Sequence, residues 1–183
     1  MRTPVLLIIT LQVVLGYSTG PSGPAHAADQ GTTGTGIPRV RSHSPEVADL
    51  IRAASDASAT FRRLIATIDD TDGLIYVDDG KCGRGVSACL LLTVQVAGPF
   101  RVLRIKVDAR RLDCRLMAQI GHELQHAIEL LSDPRVTDGV SAYFLLDRIA
   151  PGGPISDRGG FETAAAERAG LDVRREACNA KSG

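Results

Sequence analysis

The stretch from Asp113 to Leu131, DCRLMAQIGHELQHAIELL, decides how the rest of the chain is interpreted. Apolar residues recur in it at intervals of three and four, which predicts an amphipathic α-helix with one face toward a core. His122 and His126 fall to one side of this apolar stripe and, being four residues apart, share one helix face. The stripe consists of Leu116, Ile120, Leu124, Ala127, Ile128 and Leu131.

His122, Glu123 and His126 form a His-Glu-x-x-His motif, which on a helix offers two imidazole nitrogens to one metal ion and places a carboxylate beside it. Neutral imidazoles bind Zn²⁺ without cancelling its charge, and the carboxylate can accept a proton from water at the metal. With 4 histidines and 6 glutamates in 183 residues, a shuffled chain would contain the motif with a probability of about 0.3%. The alternative is an ordinary core helix that carries two hydrogen-bonded histidines.

The first 27 residues are typical of a secretory signal peptide. Arg2 supplies a positive charge, Val5 to Leu15 is apolar, and Ala25-His26-Ala27 is a small-x-small cleavage site. The apolar segment is shorter than the roughly 20 residues of a spanning helix, and no other segment is long enough either. We therefore expect a secreted or periplasmic protein without a membrane span in its mature chain, residues 28–183.

Residues 28–43 are rich in Gly, Thr and Pro and have no apolar period, which predicts a disordered linker. A short pro-segment is the alternative. Residues 44–183 are then one domain by size. The chain balances 21 basic against 21 acidic side chains and has no Trp, so its composition argues against a nucleic-acid partner.

All four cysteines lie in the predicted mature chain, and an even number in an exported protein predicts disulfides. A flexible loop between two strand-like segments separates Cys82 from Cys89, which favours their pairing. That pairing leaves Cys114 for Cys178. A zinc site built from the cysteines is the alternative, but it lacks C-x-x-C spacing.

Periodicity and turn residues predict the α+β class, with a small antiparallel sheet packed on the 113–131 helix and other helices flanking it, in a single disulfide-stabilised domain. Ser44 is the expected N-cap of the first helix, and residues 100–107 are expected to form a hairpin with the preceding strand. The predicted segments are a helix at 44–68 interrupted near 55–58, strands at 74–77, 88–96 and 100–107, and helices at 140–149 and from 161 onward with Gly170 as a candidate break.

A catalytic zinc site takes three protein ligands, and His122 and His126 are the only histidines beyond the predicted linker. The third ligand should therefore be a carboxylate. Glu162 is the candidate, because it opens a predicted helix whose following alanines allow close approach to the histidine helix. A first-turn carboxylate favoured by the helix dipole is the alternative for Glu162. Glu129 shares the histidine face, but its Cα would lie about 10 Å from that of His122. The remaining acidic residues considered, Asp133, Asp138, Asp147, Asp157 and Glu167, are expected to be solvated.

The motif and the order of the predicted elements resemble the zincin peptidases, in particular the gluzincin branch, whose third metal ligand is a glutamate. The resemblance is specific in residues 122–126 and extends over 74–170 only in element order. It implies a peptide hydrolase that holds Zn²⁺ with two histidines and Glu162 and uses Glu123 as general base. It also implies that the strand ending near Val107 pairs with an extended peptide or protein substrate.

The chain departs from the gluzincin pattern at two places. Ala166 stands where an acidic residue often orients a ligand histidine, and the transition-state donor has only Tyr143 as a candidate, which is as readily interpreted as a core residue. A third histidine typical of metzincins is missing from 127–131. The alternatives are a catalytically inactive, secreted zincin-like binding module and a disulfide-stapled structural domain with an accidental motif.

Overall fold

The computed structural model describes residues 37–83, 85–153 and 160–179. The predicted signal peptide lies outside the described residues. The predicted linker reaches into them, and there Val40–Arg41 form strand β1 with the Val40 side chain buried. The folded part therefore begins before residue 44. Two strand residues are too few to show a hydrophobic period, so their pairing partner, not their own pattern, determines the structure.

The first helical region consists of two helices, α1 at Pro45–Ala57 and α2 at Ala59–Asp69. Ser44 caps α1, as predicted, and the expected interruption falls at Ser58. Ser58 has extended backbone angles, and its hydroxyl accepts a hydrogen bond from the Phe61 N–H at 3.0 Å. A serine that caps a new helix in this way satisfies a backbone donor that the first turn leaves free.

The sheet has four strands in the order β1-β2-β4-β3, with β2 at Gly73–Asp79, β3 at Ala88–Ala97 and β4 at Phe100–Val107. The β3–β4 hairpin is antiparallel, as predicted, but β1–β2 and β2–β4 are parallel, so the sheet is mixed. The α+β class is confirmed, and the antiparallel description was correct only for the hairpin. Strand β4 lies at the centre of the sheet, paired on one edge with β2 and on the other with β3. The buried residues of β4 include Val102, Leu103, Ile105 and Val107.

This topology corrects one expectation about the substrate. The strand that ends at Val107 is β4, and both of its edges are paired with other strands. An added peptide strand could pair only with an edge strand, and β3 is the edge strand on this side. Part of that edge is already covered, because Gly139 lies against the Leu92 carbonyl so closely that an added Cβ would clash with it.

Three further helices complete the fold: α3 at Cys114–Leu131, α4 at Gly139–Ile149 and α5 at Ala164–Asn179. The final helix starts later than expected and continues through Gly170. Thr163 precedes it as the capping residue, and its hydroxyl accepts a hydrogen bond from the Ala166 N–H at 3.1 Å. Gly170 is therefore no break. A Cβ at that position would lie 3.2 Å from the His122 Cβ, so the glycine permits close contact between α5 and α3.

Both predicted disulfides form, Cys82 with Cys89 and Cys114 with Cys178. The second joins the start of α3 to the end of α5, so these helices run antiparallel. All four cysteines are paired, which is compatible with an extracellular location. Among the helices of the described residues, none combines the length and the apolar character of a membrane span.

Arg101 fixes the far end of α3. This β4 residue is 5% exposed, and its guanidinium forms an ion pair with Asp72. It also donates to the carbonyls of Leu131 at 2.7 Å and Asp133 at 2.8 Å. The last carbonyls of a helix have no partner within the helix. Arg101 supplies partners for them and so holds the C-terminal end of α3 against the sheet.

Candidate metal centre

His122 and His126 share one face of α3, as their spacing predicts, and His122 on that face contacts Gly170 of α5. Helix α3 begins where Asp113 accepts hydrogen bonds from the N–H groups of Arg115 and Leu116, and its apolar stripe is buried in the core. The helix is thus fixed in rotation about its axis. That rotation leaves His126 at 4% exposure and His122 partly exposed at the wall of a cavity.

Glu162 joins the two histidines from the segment just ahead of α5. The three side chains each offer one ligand atom, and these atoms lie within 4.8 Å of one another. His122 Nε2 and Glu162 Oε1 are 3.3 Å apart. Two ligands at the usual zinc distances and a tetrahedral angle are separated by about 3.3 Å. The His/His/Glu group could therefore hold a metal ion with little rearrangement.

Two atoms of this group are buried without hydrogen-bond partners. Among the described residues, neither His126 Nε2 nor Glu162 Oε1 has a partner. The contact between His122 and Glu162 is close, but it does not satisfy Glu162 Oε1 as a hydrogen bond. A buried polar atom left unpaired costs about 1 to 3 kcal/mol. A cation at the centre of the group would satisfy both atoms at once, so the donor set fits a metal.

Glu129 orients His126 and connects it to the start of α5. Its Oε2 lies 2.9 Å from His126 Nδ1, and its Oε1 accepts a hydrogen bond from the Thr163 hydroxyl at 2.7 Å. An ionised carboxylate only accepts hydrogen bonds, so Nδ1 carries the proton and Nε2 keeps its lone pair toward Glu162. A carboxylate behind a ligand histidine is a common feature of metal sites. Glu129 is thus a neighbour of the ligands and lies beside Glu162 in space.

The protonation equilibria of the two histidines differ. Burial, together with the nearby His126, lowers the pKa of His122 to about 4, which keeps this imidazole neutral at neutral pH. Burial also lowers the pKa of His126, but the Glu129 hydrogen bond and the surrounding carboxylates outweigh it, so the net shift is upward. Protons and a bound metal ion would therefore compete for His126 Nε2, because a ligand imidazole has to be neutral.

Glu123 is partly buried beside the triad. Its Oε2 accepts a hydrogen bond from the Leu90 N–H on edge strand β3 at 2.8 Å. Burial raises the pKa of the Glu123 carboxyl, although the nearby His126 and the Leu90 N–H oppose the shift. A carboxylate with a raised pKa is a stronger base than one in water, which suits proton transfer near neutral pH.

A cavity of about 700 Å³ opens onto the His/His/Glu group. Strand β3 forms one wall with Leu90 and Leu92, and the other walls include helices α3 and α5, Leu146 of α4 and residues 160–162. Tyr143 is not among the described residues that line this cavity. Its ring is 40% exposed and packs edge-on against Phe161, which does line it. The contact with Phe161 therefore supports a packing role for Tyr143. Its role as the transition-state hydrogen-bond donor stays a prediction.

Sequence reasoning missed three features of this site. It placed Glu129 too far away to be a ligand, but the three-residue spacing from His126 was a signal for an orienting partner. It did not connect Leu90 with Glu123, because that contact depends on strand order. It also assigned no role to Arg115 and Arg174, which line the cavity. The two arginines line the same cavity because α3 and α5 are antiparallel, and the sequence does not show that arrangement.

Comparison of the chain with protein-family models, with curated proteins and with solved structures found no match.

Proposed function

We propose that the protein is a secreted, zinc-dependent peptide hydrolase with a His₂Glu metal site formed by His122, His126 and Glu162. The single observation that supports this most is the convergence of three ligand atoms, two of them buried and unpaired, beside the partly buried carboxylate of Glu123. Catalytic zinc sites take three such ligands and leave one position for water. The two disulfides support export.

Zinc bound at this group supplies Lewis acidity toward water and toward a substrate carbonyl. Glu123 is the proposed general base that accepts the proton of the attacking water and passes it to the leaving amine. The Leu90 N–H holds one of its oxygens and leaves the other available. The cavity beside β3 has room for several residues of a peptide, and the proposal assigns the substrate to it.

The first experiment measures the metal. Purified protein folded with zinc and then dialysed is expected to retain about one zinc per chain by atomic absorption. Glu162→Ala should lower zinc affinity, because the site falls to two protein ligands. Glu167→Ala is the matched control, a carboxylate on the same cavity that is outside the triad. Equal zinc affinity in Glu162→Ala and in the control contradicts the ligand assignment.

The second experiment separates the enzyme from the inactive binding module. Glu123→Gln keeps the shape of the side chain but cannot accept the proton of water, so it should retain zinc and lose peptide hydrolysis. Cleavage of a fluorogenic peptide library by wild-type protein provides the activity. Zinc binding without hydrolysis by wild type would favour the binding module, and zinc loss in Glu123→Gln would overturn the role of Glu123.

A further inference from the structure

Most arginine side chains of the described residues have a partner, and the exceptions are concentrated at the metal cavity. Four arginines donate hydrogen bonds to a tyrosine hydroxyl, a threonine hydroxyl or backbone carbonyls, namely Arg39, Arg41, Arg62 and Arg63. Eight form ion pairs with aspartates, namely Arg52, Arg101, Arg104, Arg110, Arg111, Arg135, Arg148 and Arg175. Within the described ranges, only Arg115, Arg168 and Arg174 have no side-chain hydrogen bond or ion pair.

Two of these three arginines line the cavity that opens onto the triad. Arg115 extends from α3 and Arg174 from α5, and both are exposed to solvent. Arg168 lies along a different, smaller cavity. The Cys114–Cys178 disulfide holds the arginine pair together, since Arg115 follows one bridged cysteine and Arg174 stands one helical turn before the other. The two positive charges are therefore neighbours on adjacent helices.

The cavity carries acidic side chains at one end and basic side chains at the other. Carboxylates cluster at the triad, where Glu123, Glu162 and Glu167 line the same cavity. Arg174 lies seven residues beyond Glu167 on α5, about 10.5 Å along the helix axis. Arg115 is likewise seven residues from His122 on α3, again about 10.5 Å. One end of the cavity is thus anionic around the metal group, and the other end is cationic.

This separation corresponds to a short piece of extended peptide. A strand advances about 3.3 Å per residue, so about three residues span the distance from His122 to Arg115. Because an arginine side chain can extend part of the way toward the triad, two or three peptide residues are enough to connect the two ends. A guanidinium recognises a carboxylate with two parallel hydrogen bonds, and a pair of guanidinium groups that form no ion pair among the described residues has unused donors for it.

We propose that Arg115 and Arg174 select peptide substrates that carry an acidic side chain two or three residues from the bond at the metal centre. This inference rests on the proposed function, because it places the peptide in the cavity beside the triad. Aspartate and glutamate both supply the carboxylate, and the neighbouring exposed Leu171 supplies apolar contact. Arg115 and Arg174 act as specificity residues and do not touch the reacting atoms.

Binding, measured apart from turnover, tests the inference. Fluorescein-labelled octapeptides of Ala, Gly, Ser and Leu carry a single Asp at successive positions, and each has a partner peptide with Asn at the same position. Their dissociation constants with zinc-loaded Glu123→Gln protein are measured by fluorescence anisotropy. At the best position the Asp peptide is expected to bind about tenfold more tightly than its Asn partner, a factor typical of a charge-assisted hydrogen-bonded pair.

Arg115→Gln and Arg174→Gln should each reduce this preference at least threefold, and the double substitution should abolish it. Arg175→Gln is the control, since it removes an adjacent α5 charge that is already paired with Asp172. Circular dichroism is used to check that each variant is folded. The preference should also decline as salt rises from about 0.05 to 0.5 M, because the Debye length shortens.

Equal affinity for Asp and Asn peptides, binding of neither, or a preference that survives both arginine substitutions overturns the inference. Its failure is distinct from failure of the proposed function. Hydrolysis by wild type without an acidic preference refutes the arginine assignment alone. An acidic preference in binding without hydrolysis by wild type refutes the peptide hydrolase and keeps the arginine site.

Discussion

Replacing Arg101 with methionine is expected to lower the free energy of unfolding by about 3 to 5 kcal/mol. Arg101 is almost fully buried, and its guanidinium is the partner of several carbonyls at and beyond the end of α3. Methionine retains the unbranched apolar stem but has no donor. The substitution therefore removes the hydrogen bonds while preserving most of the packing.

The magnitude follows from the individual contacts. The carbonyls of Leu131 and Asp133 accept at 2.7 and 2.8 Å, and each would lose a good partner at a cost of about 1 to 3 kcal/mol. The carbonyls of Leu130 and Val136 accept at 3.3 Å and are counted as minor. The ion pair with Asp72 adds at most about 1 kcal/mol, because the Asp72 side chain is 44% exposed. Together these contributions span about 2 to 7 kcal/mol, and the expected loss of about 3 to 5 kcal/mol is the middle of that range. Such a loss is a large fraction of the usual total stability of about 5 to 15 kcal/mol.

The assay is equilibrium unfolding in urea, followed by far-ultraviolet circular dichroism, with disulfides intact. Arg104→Met is the matched control on the same strand, since the Arg104 side chain is 41% exposed and its ion pair with Asp78 is long, at 3.9 Å. It should cost less than about 1 kcal/mol. A loss below about 1 kcal/mol for Arg101→Met, or equal losses for the two variants, would refute the assigned role of the buried guanidinium.

Three other predictions follow from the described contacts. Removing the Cys114–Cys178 disulfide, which closes a separation of 64 residues, should cost about 2 kcal/mol more in urea unfolding than removing Cys82–Cys89, which closes 7; equal costs would contradict the loop-entropy account. Glu129→Gln should weaken zinc affinity about 10- to 100-fold in a chelator competition without changing the stoichiometry, and unchanged affinity would remove its orienting role. The Arg101 hydrogen bonds lower the pKa of Asp72 below its unfolded value of about 3.9, so its contribution to stability is present above about pH 4 and is lost as the pH falls through the folded pKa. The difference in melting temperature between wild type and Asp72→Asn should therefore shrink below about pH 4, and a constant difference would contradict this linkage.

The local parts of the fold were predictable because their signals lie within a few residues of one another. The helical stripe of α3 and the turn of the β3–β4 hairpin each combine a period with a terminating residue. Both disulfides were also predictable, since the short Cys82–Cys89 loop left one remaining pair. The parallel placement of β2 beside β4 was not, because strand order depends on connections that span many residues and does not follow apolar content: the strongly apolar β3 is an edge strand.

The same distinction between local and long-range signals applies to the candidate site. The pair His122 and His126 needs only one helix, so a sequence pattern can indicate it. Glu162 was identified by elimination among carboxylates, and the reason given for it was partly wrong, since it precedes α5 and does not open it. Its place near the histidines depends on the Thr163 cap and on the Glu129 bridge between α3 and Thr163. No periodic pattern encodes such a bridge.

The attachments of α3 also bear on what the metal contributes to folding. The disulfide at Cys114 fastens one end of the helix, and Arg101 fastens the other. Glu129 holds His126 with its Nε2 directed to the triad. None of these contacts involves a metal, so the ligand geometry is organised by covalent and hydrogen-bonded connections of the chain. An ion bound here would therefore enter a site whose candidate ligands are already held by the chain.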